Sequence, residues 1–254
     1  MTTTENGAMV EVQSLTKLYG DFRAVDDLTF STEPGEVLGL VGPNGAGKTT
    51  TLRCMVGIIP PSEGRILLGG HDLAKDPVAA KRQTAFIPDE PRLFDYLTVN
   101  EHLRFVSRLY GVDGYEERAR SLLEELELTG RERALPAELS RGMKQKLAIA
   151  CGLIHDPRVI LFDEPLTGLD PVGIRRMKDS IAARAKSGCS VLVSSHLLSL
   201  VEEICDRILI IRDGRKVIHG SIEEITASLP QLSGDASLEE IFFQVTDDSR
   251  TADG

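Results

Sequence analysis

The chain has 254 residues, of which 41% are hydrophobic and 27% charged, an ordinary globular usage that excludes wholesale disorder, a fibrous repeat and a membrane bundle. Its 39 acidic and 29 basic side chains give a net charge of −10, which disfavours a broad phosphate-backbone surface, so nucleic acid is not expected as a partner. Residues 9–32 read as short strands and turns of an antiparallel lobe, with Met9-Val10-Glu11-Val12 alternating and Leu28-Thr29-Phe30 following an Asp-Asp turn. Residues 36–41 form a nearly continuous apolar strand that breaks into a glycine-rich turn, and residues 48–57 continue as a helix. From 97 to 155 the pattern turns helical. Thr98-Val99-Asn100-Glu101 has the form of a capping box, and Val99, Leu103, Val106 and Tyr110 recur at helical spacing. A second helix is predicted over about 115–128 and a third over 141–155, ending before Asp156-Pro157. This block reads as a helical insertion between two parts of an α/β core.

The core resumes with a buried strand at 159–163, then a helix opened by Asp170-Pro171 and closed at Gly188. Residues 189–194 give a further strand and 197–205 a further helix. Strands at 207–211 and 216–218 flank Asp213-Gly214, a hairpin signal. Two short helices follow, opened by Ser221-x-x-Glu224 and Ser237-x-x-Glu240. The longest apolar runs, such as 159–162 and 208–211, fall far below the roughly 20 residues that span a bilayer. Residues 1–8 carry neither a basic n-region nor an apolar h-region, so a cytoplasmic location is expected. The four cysteines and five histidines are dispersed, and their spacing predicts no metal site of the zinc kind.

Gly42-Pro43-Asn44-Gly45-Ala46-Gly47-Lys48-Thr49 satisfies G-x-x-x-x-G-K-[ST] between a buried strand and a helix, the context in which this pattern cradles phosphate. Glycines at 42, 45 and 47 let the backbone curl so that amide N–H groups point inward, and the helix N-terminus adds partial positive charge. Lys48 is expected to reach the β- and γ-phosphates and the Thr49 hydroxyl to ligate Mg²⁺, with Thr50 counted as part of the same nucleotide-binding turn. Asp163 closes an apolar strand and Glu164 follows it, so both carboxylates should emerge at the carboxyl edge of the sheet beside that loop. Asp163 suits the Mg²⁺ shell, and Glu164 can deprotonate an attacking water.

Leu139-Ser140-Arg141-Gly142-Met143 ahead of a helix, Asp163-Glu164-Pro165, Gly168-Leu169-Asp170 and Ser194-Ser195-His196 follow the phosphate loop in chain order. In that set and order the chain resembles the nucleotide-binding subunit of an ABC transporter over roughly residues 9–220. The resemblance implies an α/β fold, a P-loop NTPase core with an N-terminal antiparallel β lobe and a helical subdomain inserted at about 92–157. A short helical extension at 221–246 and flexible ends at 1–8 and 247–254 complete the expected organisation. The resemblance further implies ATP and Mg²⁺ as ligands and a head-to-tail dimer, of two copies or of two paired subunits, with two ATP molecules between protomers. It implies hydrolysis that powers a separately encoded polytopic permease from the inner face of the cell membrane. A soluble ABC-type ATPase of assembly or scaffolding, with no permease, is the alternative function.

Within that frame, Ser140 and Gly142 open a helix toward the partner's γ-phosphate. Ser140 is an N-cap whose third helical position is Met143, so no side chain closes a capping box there, unlike the boxes at Glu101, Glu224 and Glu240. His196 corresponds to a switch histidine at the γ-phosphate, and Asp170 to a loop that communicates across the dimer, although Asp170 before Pro171 is also an N-cap. Tyr19 corresponds to the aromatic that stacks on adenine, with Val25 beside the ribose, although a tyrosine there can also fill a lobe. Three positions depart from the family pattern. Asp89, in Phe86-Ile87-Pro88-Asp89-Glu90-Pro91, stands where glutamine is usual, Arg141 where glycine is usual and Met143 where glutamine is usual. Asp89 is expected to touch the Mg²⁺ shell through water and to pair with a basic residue of the permease, or else to fix a turn between prolines. These departures, with the ending Ser237-Leu238-Glu239-Glu240-Ile241-Phe242, resemble export-type bacterial ATPases of the Ecs kind.

Overall fold

Strand β3 (Val37–Val41) is apolar on both faces because it lies in the middle of a six-stranded sheet covered by helices on one face and by the antiparallel lobe with a helix on the other. In the computed structural model that sheet runs β10-β9-β3-β8-β7-β6, with β6 (Thr84–Ile87), β7 (Val159–Asp163), β8 (Ser190–Ser195) and β9 (Arg207–Arg212) parallel to β3. Strand β10 (Arg215–Gly220) joins β9 antiparallel. The structure describes residues 7–167, 169–229 and 236–246. Residues 1–6 and 247–254 of the expected flexible ends, 230–235 of the C-terminal extension and Gly168 of the Gly168-Leu169-Asp170 run lie outside the described residues.

The register aligns the strand ends. Val41 pairs with Ser195 and Asp163 with Ser194, so the last residues of β3, β7 and β8 share one edge, from which the phosphate loop, Glu164 and His196 continue. In an open parallel sheet this carboxyl edge is where ligands bind.

The antiparallel lobe is ordered β2-β1-β4-β5, from β1 (Val10–Tyr19), β2 (Phe22–Thr32), β4 (Glu63–Leu68) and β5 (His71–Asp72). Half of it therefore comes from residues beyond α1 (Lys48–Met55), a stretch that periodicity leaves unassigned, so the lobe is not purely N-terminal. Val12, Leu28, Ile66 and Leu68 of the lobe pack with Leu38, Leu40, Leu52 and Leu161 in one core, which joins the lobe to the sheet. Helix α2 (Pro77–Arg82), N-capped by Asp76, leads from the lobe to β6.

Between β6 and β7 lie α3 (Val99–Tyr110), α4 (Tyr115–Glu125), a 3₁₀ turn at Pro136–Glu138 and α5 (Arg141–Leu153). The expected box at the start of α3 is formed: the Thr98 amide donates to Glu101 Oε2 at 2.8 Å, and the Glu101 amide to Thr98 Oγ1 at 3.3 Å. These helices bury Val99, Leu103, Leu122 and Leu147 against Ile87, Ile160 and Phe162, each such side chain contributing about 1.5–3 kcal/mol. Helix α4 ends at Glu125, earlier than the predicted 128, because Glu127 turns left-handed at φ 58°. Helix α6 (Pro171–Lys186) covers the same face, and α7 (Leu198–Ile204), α8 (Ile222–Ser228) and α9 (Leu238–Thr246) cover β3 and β9 through Val201, Ile225, Leu238 and Ile241.

Candidate active site

The turn joining β3 to α1 is built for close backbone approach. At Gly42 a Cβ would collide with the Ile211 carbonyl, and at Gly47, where φ is 102°, it would stand 2.5 Å from the Ala24 carbonyl. Helix α1 has no side-chain cap at Gly47 and no acidic residue in its first turn, so its leading amides keep their positive potential for an anion. Pro43, Asn44 and Gly45 are exposed, Ala46 is buried, and Thr50 is half-buried at the helix start. Lys48 is buried and its Nζ donates to the carbonyls of Gly42 at 2.7 Å and Pro43 at 3.3 Å. Burial lowers its pKa, while the charges of Glu164 and Asp163 act in the opposite sense. A hairpin braces the loop from outside: the Gly214 amide donates to Ala46 O at 3.1 Å, and the Asp26 amide to Gly214 O at 2.8 Å.

Opposite the loop, Asp163 is almost fully buried, and its Oδ1 accepts from Ser194 Oγ at 2.7 Å and from Thr49 Oγ1 at 3.2 Å. Glu164 follows in the left-handed region at φ 51°, a conformation that costs about 1 kcal/mol or more in a non-glycine residue. Its amide donates to Ser194 O at 3.1 Å, and its Oε2 stands 2.8 Å from His196 Nδ1, the geometry of an Nδ1–H donating to a carboxylate. Glu164 is 17% exposed and His196 55%, so the pair stands at the mouth of the site. A cleft of about 830 Å³ opens from there. Thr49, Asp89, Asp163 and Glu164 are among its lining residues, as are Phe94, Leu109, Tyr110 and His155.

Among the described residues, Asp89 Oδ1 is enclosed with no hydrogen-bond partner, and the nearest cation is Arg141 of the same chain at 3.9 Å. Two of the three departures from the family pattern thus face each other within one subunit. Gln145 Nε2, which donates to Pro88 O at 3.2 Å, ties α5 to the same loop. The hydroxyl of Thr49 and the carboxylates of Asp163 and Asp89 are hard oxygen donors around one cleft, and Asp89 Oδ1 is an orphaned one, so this set fits a hard divalent cation such as Mg²⁺.

Ser140 and Asp170 lie apart from this cleft. Ser140 is exposed and N-caps α5, its Oγ accepting from the Met143 amide at 3.2 Å, with no acidic residue in the first turn and Gly142 half-buried beside it. Asp170 is exposed and N-caps α6, its Oδ1 accepting from the Gly173 amide at 2.7 Å. Tyr19 is half exposed at the tip of the lobe, with Lys17 Nζ 5.1 Å from its ring centroid. Val25 has no exposed surface and packs against the phosphate loop, its Cγ2 3.6 Å from where a Cβ on Gly47 would stand and its side chain in one cluster with Ala46.

The family described as ABC transporter matches residues 25–167. The chain belongs to the ABC transporter family of ATP-binding proteins. It is 34% identical to the ABC-type transporter ATP-binding protein EcsA of Bacillus subtilis (strain 168) over 94% of this chain and 97% of that protein. It is 38% identical to the SkfA peptide export ATP-binding protein SkfE of the same organism over 82% of this chain and 87% of that one. A solved ATP-binding subunit of an ABC transporter superimposes with a TM-score of 0.89 at 36% identity, covering 94% of this chain and 99% of that chain. A nucleotide-free ATP-binding cassette at 23% identity has the same fold, with a TM-score of 0.77.

The P-loop NTPase architecture with a β lobe and inserted helices is therefore that of the ABC ATP-binding proteins, as expected from the motifs. Among the described residues no helix is long and apolar enough to cross a membrane. One contact of this ABC site is not legible in the chain. Ser194, named above only as part of the run before His196, bonds Asp163 because β7 and β8 pair in a particular register.

Proposed function

We propose that this ABC ATP-binding chain hydrolyses ATP as the energy-transducing subunit of an exporter whose permease is a separate polytopic chain, working from the inner face of the cell membrane. The observation that carries the reading is the Glu164 carboxylate, set at the mouth of the phosphate-loop site by a left-handed backbone and oriented by His196. The backbone amides of the loop from 42 to 50, Pro43 excepted, and the Lys48 ammonium bind the phosphates, and Tyr19 stacks on adenine. Thr49, Asp163 and, through water, Asp89 hold Mg²⁺, which when bound neutralises charge on the phosphate oxygens. Glu164 takes the proton of the attacking water as general base, while His196 keeps its carboxylate aimed and reaches toward the γ-phosphate. Ser140, Gly142 and Asp170 act in trans, closing the site of a second subunit in a head-to-tail dimer. The helices between β6 and β7 form one subdomain, at about 92–157, that moves with that closure, and residues 221–246 form a C-terminal extension.

The apolar lining of the cleft, with Phe94 and Leu109 exposed, is where the permease docks. Asp89 then has two candidate cations, the permease's and Arg141. Export is supported by relatives named for peptide export and for Nod factor export. In the test, Glu164→Gln binds ATP, hydrolyses it about 10²–10⁴-fold more slowly and accumulates as an ATP-bound dimer by light scattering. Only monomer with excess ATP would overturn the dimer, and purification from detergent extracts without any polytopic protein would favour the soluble scaffold instead.

A further inference from the structure

Just beyond α4 the chain turns through Glu127, held at φ 58° although it is not glycine. Such a conformation costs on the order of 1 kcal/mol or more. Its carboxylate is fully engaged, by two other helices. Oε2 lies 2.9 Å from Lys146 Nζ on α5, and Oε1 lies 3.0 Å from the Arg176 guanidinium on α6. Lys146 stands six positions beyond the N-cap Ser140, and Arg176 six positions beyond the N-cap Asp170. Beneath the carboxylate, Leu126, Ile149, Leu169 and Met177 line a narrow crevice, so the charges lie over a seam between α4, α5 and α6. Two residues earlier, Glu125 accepts from Ser180 Oγ at 2.6 Å and from Arg184 at 3.1 Å, both on α6. Helix α6 is thus bound to the end of α4 twice, whereas the charged link from there to α5 is Glu127.

We infer that Glu127 is a positioning residue that ties the helix presenting Ser140 to the helix presenting Asp170, so that the two motifs offered to a partner subunit move as one body. The inference rests on the sandwich dimer proposed above. A gain in stability does not account for the arrangement: partly exposed ion pairs contribute about 0–1 kcal/mol, no more than the left-handed turn costs. Glycine would take the same backbone without strain and lose the link. The hydrogen bond and charge of Lys146, helped by Arg176 and opposed by burial and by Asp170, hold the Glu127 carboxyl below the usual carboxylate range, so the link is charged at neutral pH.

The test uses the full chain carrying Glu164→Gln, with Glu127→Gly to relieve the strain and Glu127→Gln to keep the shape without the charge. Both variants should keep the melting temperature within a few degrees and bind ATP as monomers with unchanged affinity, while their ATP-driven dimer dissociates about tenfold more readily. Amide hydrogen exchange on the monomer gives a readout that needs no dimer: residues 141–146 at the start of α5 should exchange faster in both variants, and the strands of the six-stranded sheet at the parent rate. Dimer affinity within twofold of the parent, or unchanged protection of 141–146, would overturn the inference. A large fall in melting temperature for Glu127→Gly would overturn it too, by making Glu127 a plain structural residue. A parent that stays monomeric with ATP sinks the sandwich dimer instead, and the exchange arm then decides whether α5 is held through Glu127.

Discussion

Among the described residues the Lys48 ammonium bonds only to carbonyls of its own loop, so replacing it should leave the fold intact and remove most of the charge that meets a triphosphate. Lys48→Ala is expected to lower ATP turnover by about 10²–10³-fold with an unchanged melting temperature. Turnover assays and titration calorimetry check this, and wild-type values in both would remove Lys48 from the site. In the lining of the cleft, His155 stacks on Tyr110 at 3.8 Å between ring centroids, with its Nδ1 unpartnered. Burial pushes its pKa down to about 4. An unfolded histidine titrates near 6.5, so between about pH 6.5 and 4 the unfolded chain binds more protons and stability falls as pH falls. Above about pH 6.5 this contribution is fully present. Urea unfolding at about pH 7 and about pH 5 should show the loss, and His155→Phe should reduce it by on the order of 1 kcal/mol for this half-buried ring. An identical pH slope in that variant would mean that His155 is protonated in the fold.

At the scale of elements, the hairpin between β9 and β10 illustrates a local signal with a distant consequence. Asp213 at φ 48° and Gly214 at φ 78° take the paired positive angles that a two-residue hairpin needs, as Asp-Gly predicts. The same glycine bonds Ala46 of the phosphate loop and Asp26 of the lobe, and a Cβ on it would stand 2.9 Å from the Ala24 carbonyl. Gly214→Val should therefore destabilise the chain by about 2–3 kcal/mol and weaken ATP binding as well. Asp213→Gly, which relieves strain at an exposed turn, should do neither. Denaturant unfolding with parallel ATP titration separates the two variants. An ATP affinity that ignores Gly214→Val would show that the hairpin does not hold the loop. Capping boxes belong to this scale too: the Thr98, Ser221 and Ser237 boxes all form, because each depends on four consecutive residues.

Over the whole molecule, Lys48 lines the phosphate loop while Ser140 and Asp170 open helices outside its cleft, an arrangement that a head-to-tail pair would complete. Mixing inactive Ser140→Arg and Lys48→Ala subunits should create heterodimers with one doubly damaged site and one intact site. About a quarter of wild-type turnover is expected to return, because random pairing of equal amounts makes about half of the dimers mixed and each of those keeps one intact site of two. No recovery in a sample shown to contain heterodimers would mean that both residues serve one site, or that two intact sites must act together.

Features that depend on residues a few positions apart are legible in the chain: the phosphate loop, the helix caps, the apolar strands, the Asp-Gly hairpin and the carboxylates at the end of β7. Each follows from local backbone chemistry or from a periodicity that needs no partner segment. Tertiary structure decided what depends on strand order, register and helix packing. It completed the lobe with β4 and β5, whose few residues carry too short a pattern to place alone. It set Val25 against the phosphate loop and Ser194 against Asp163, and brought Asp89 to Arg141. It also placed Glu127 between Lys146 and Arg176. These contacts join residues that chain order keeps apart, and side-chain periodicity contains no term for which segment becomes the neighbour of which.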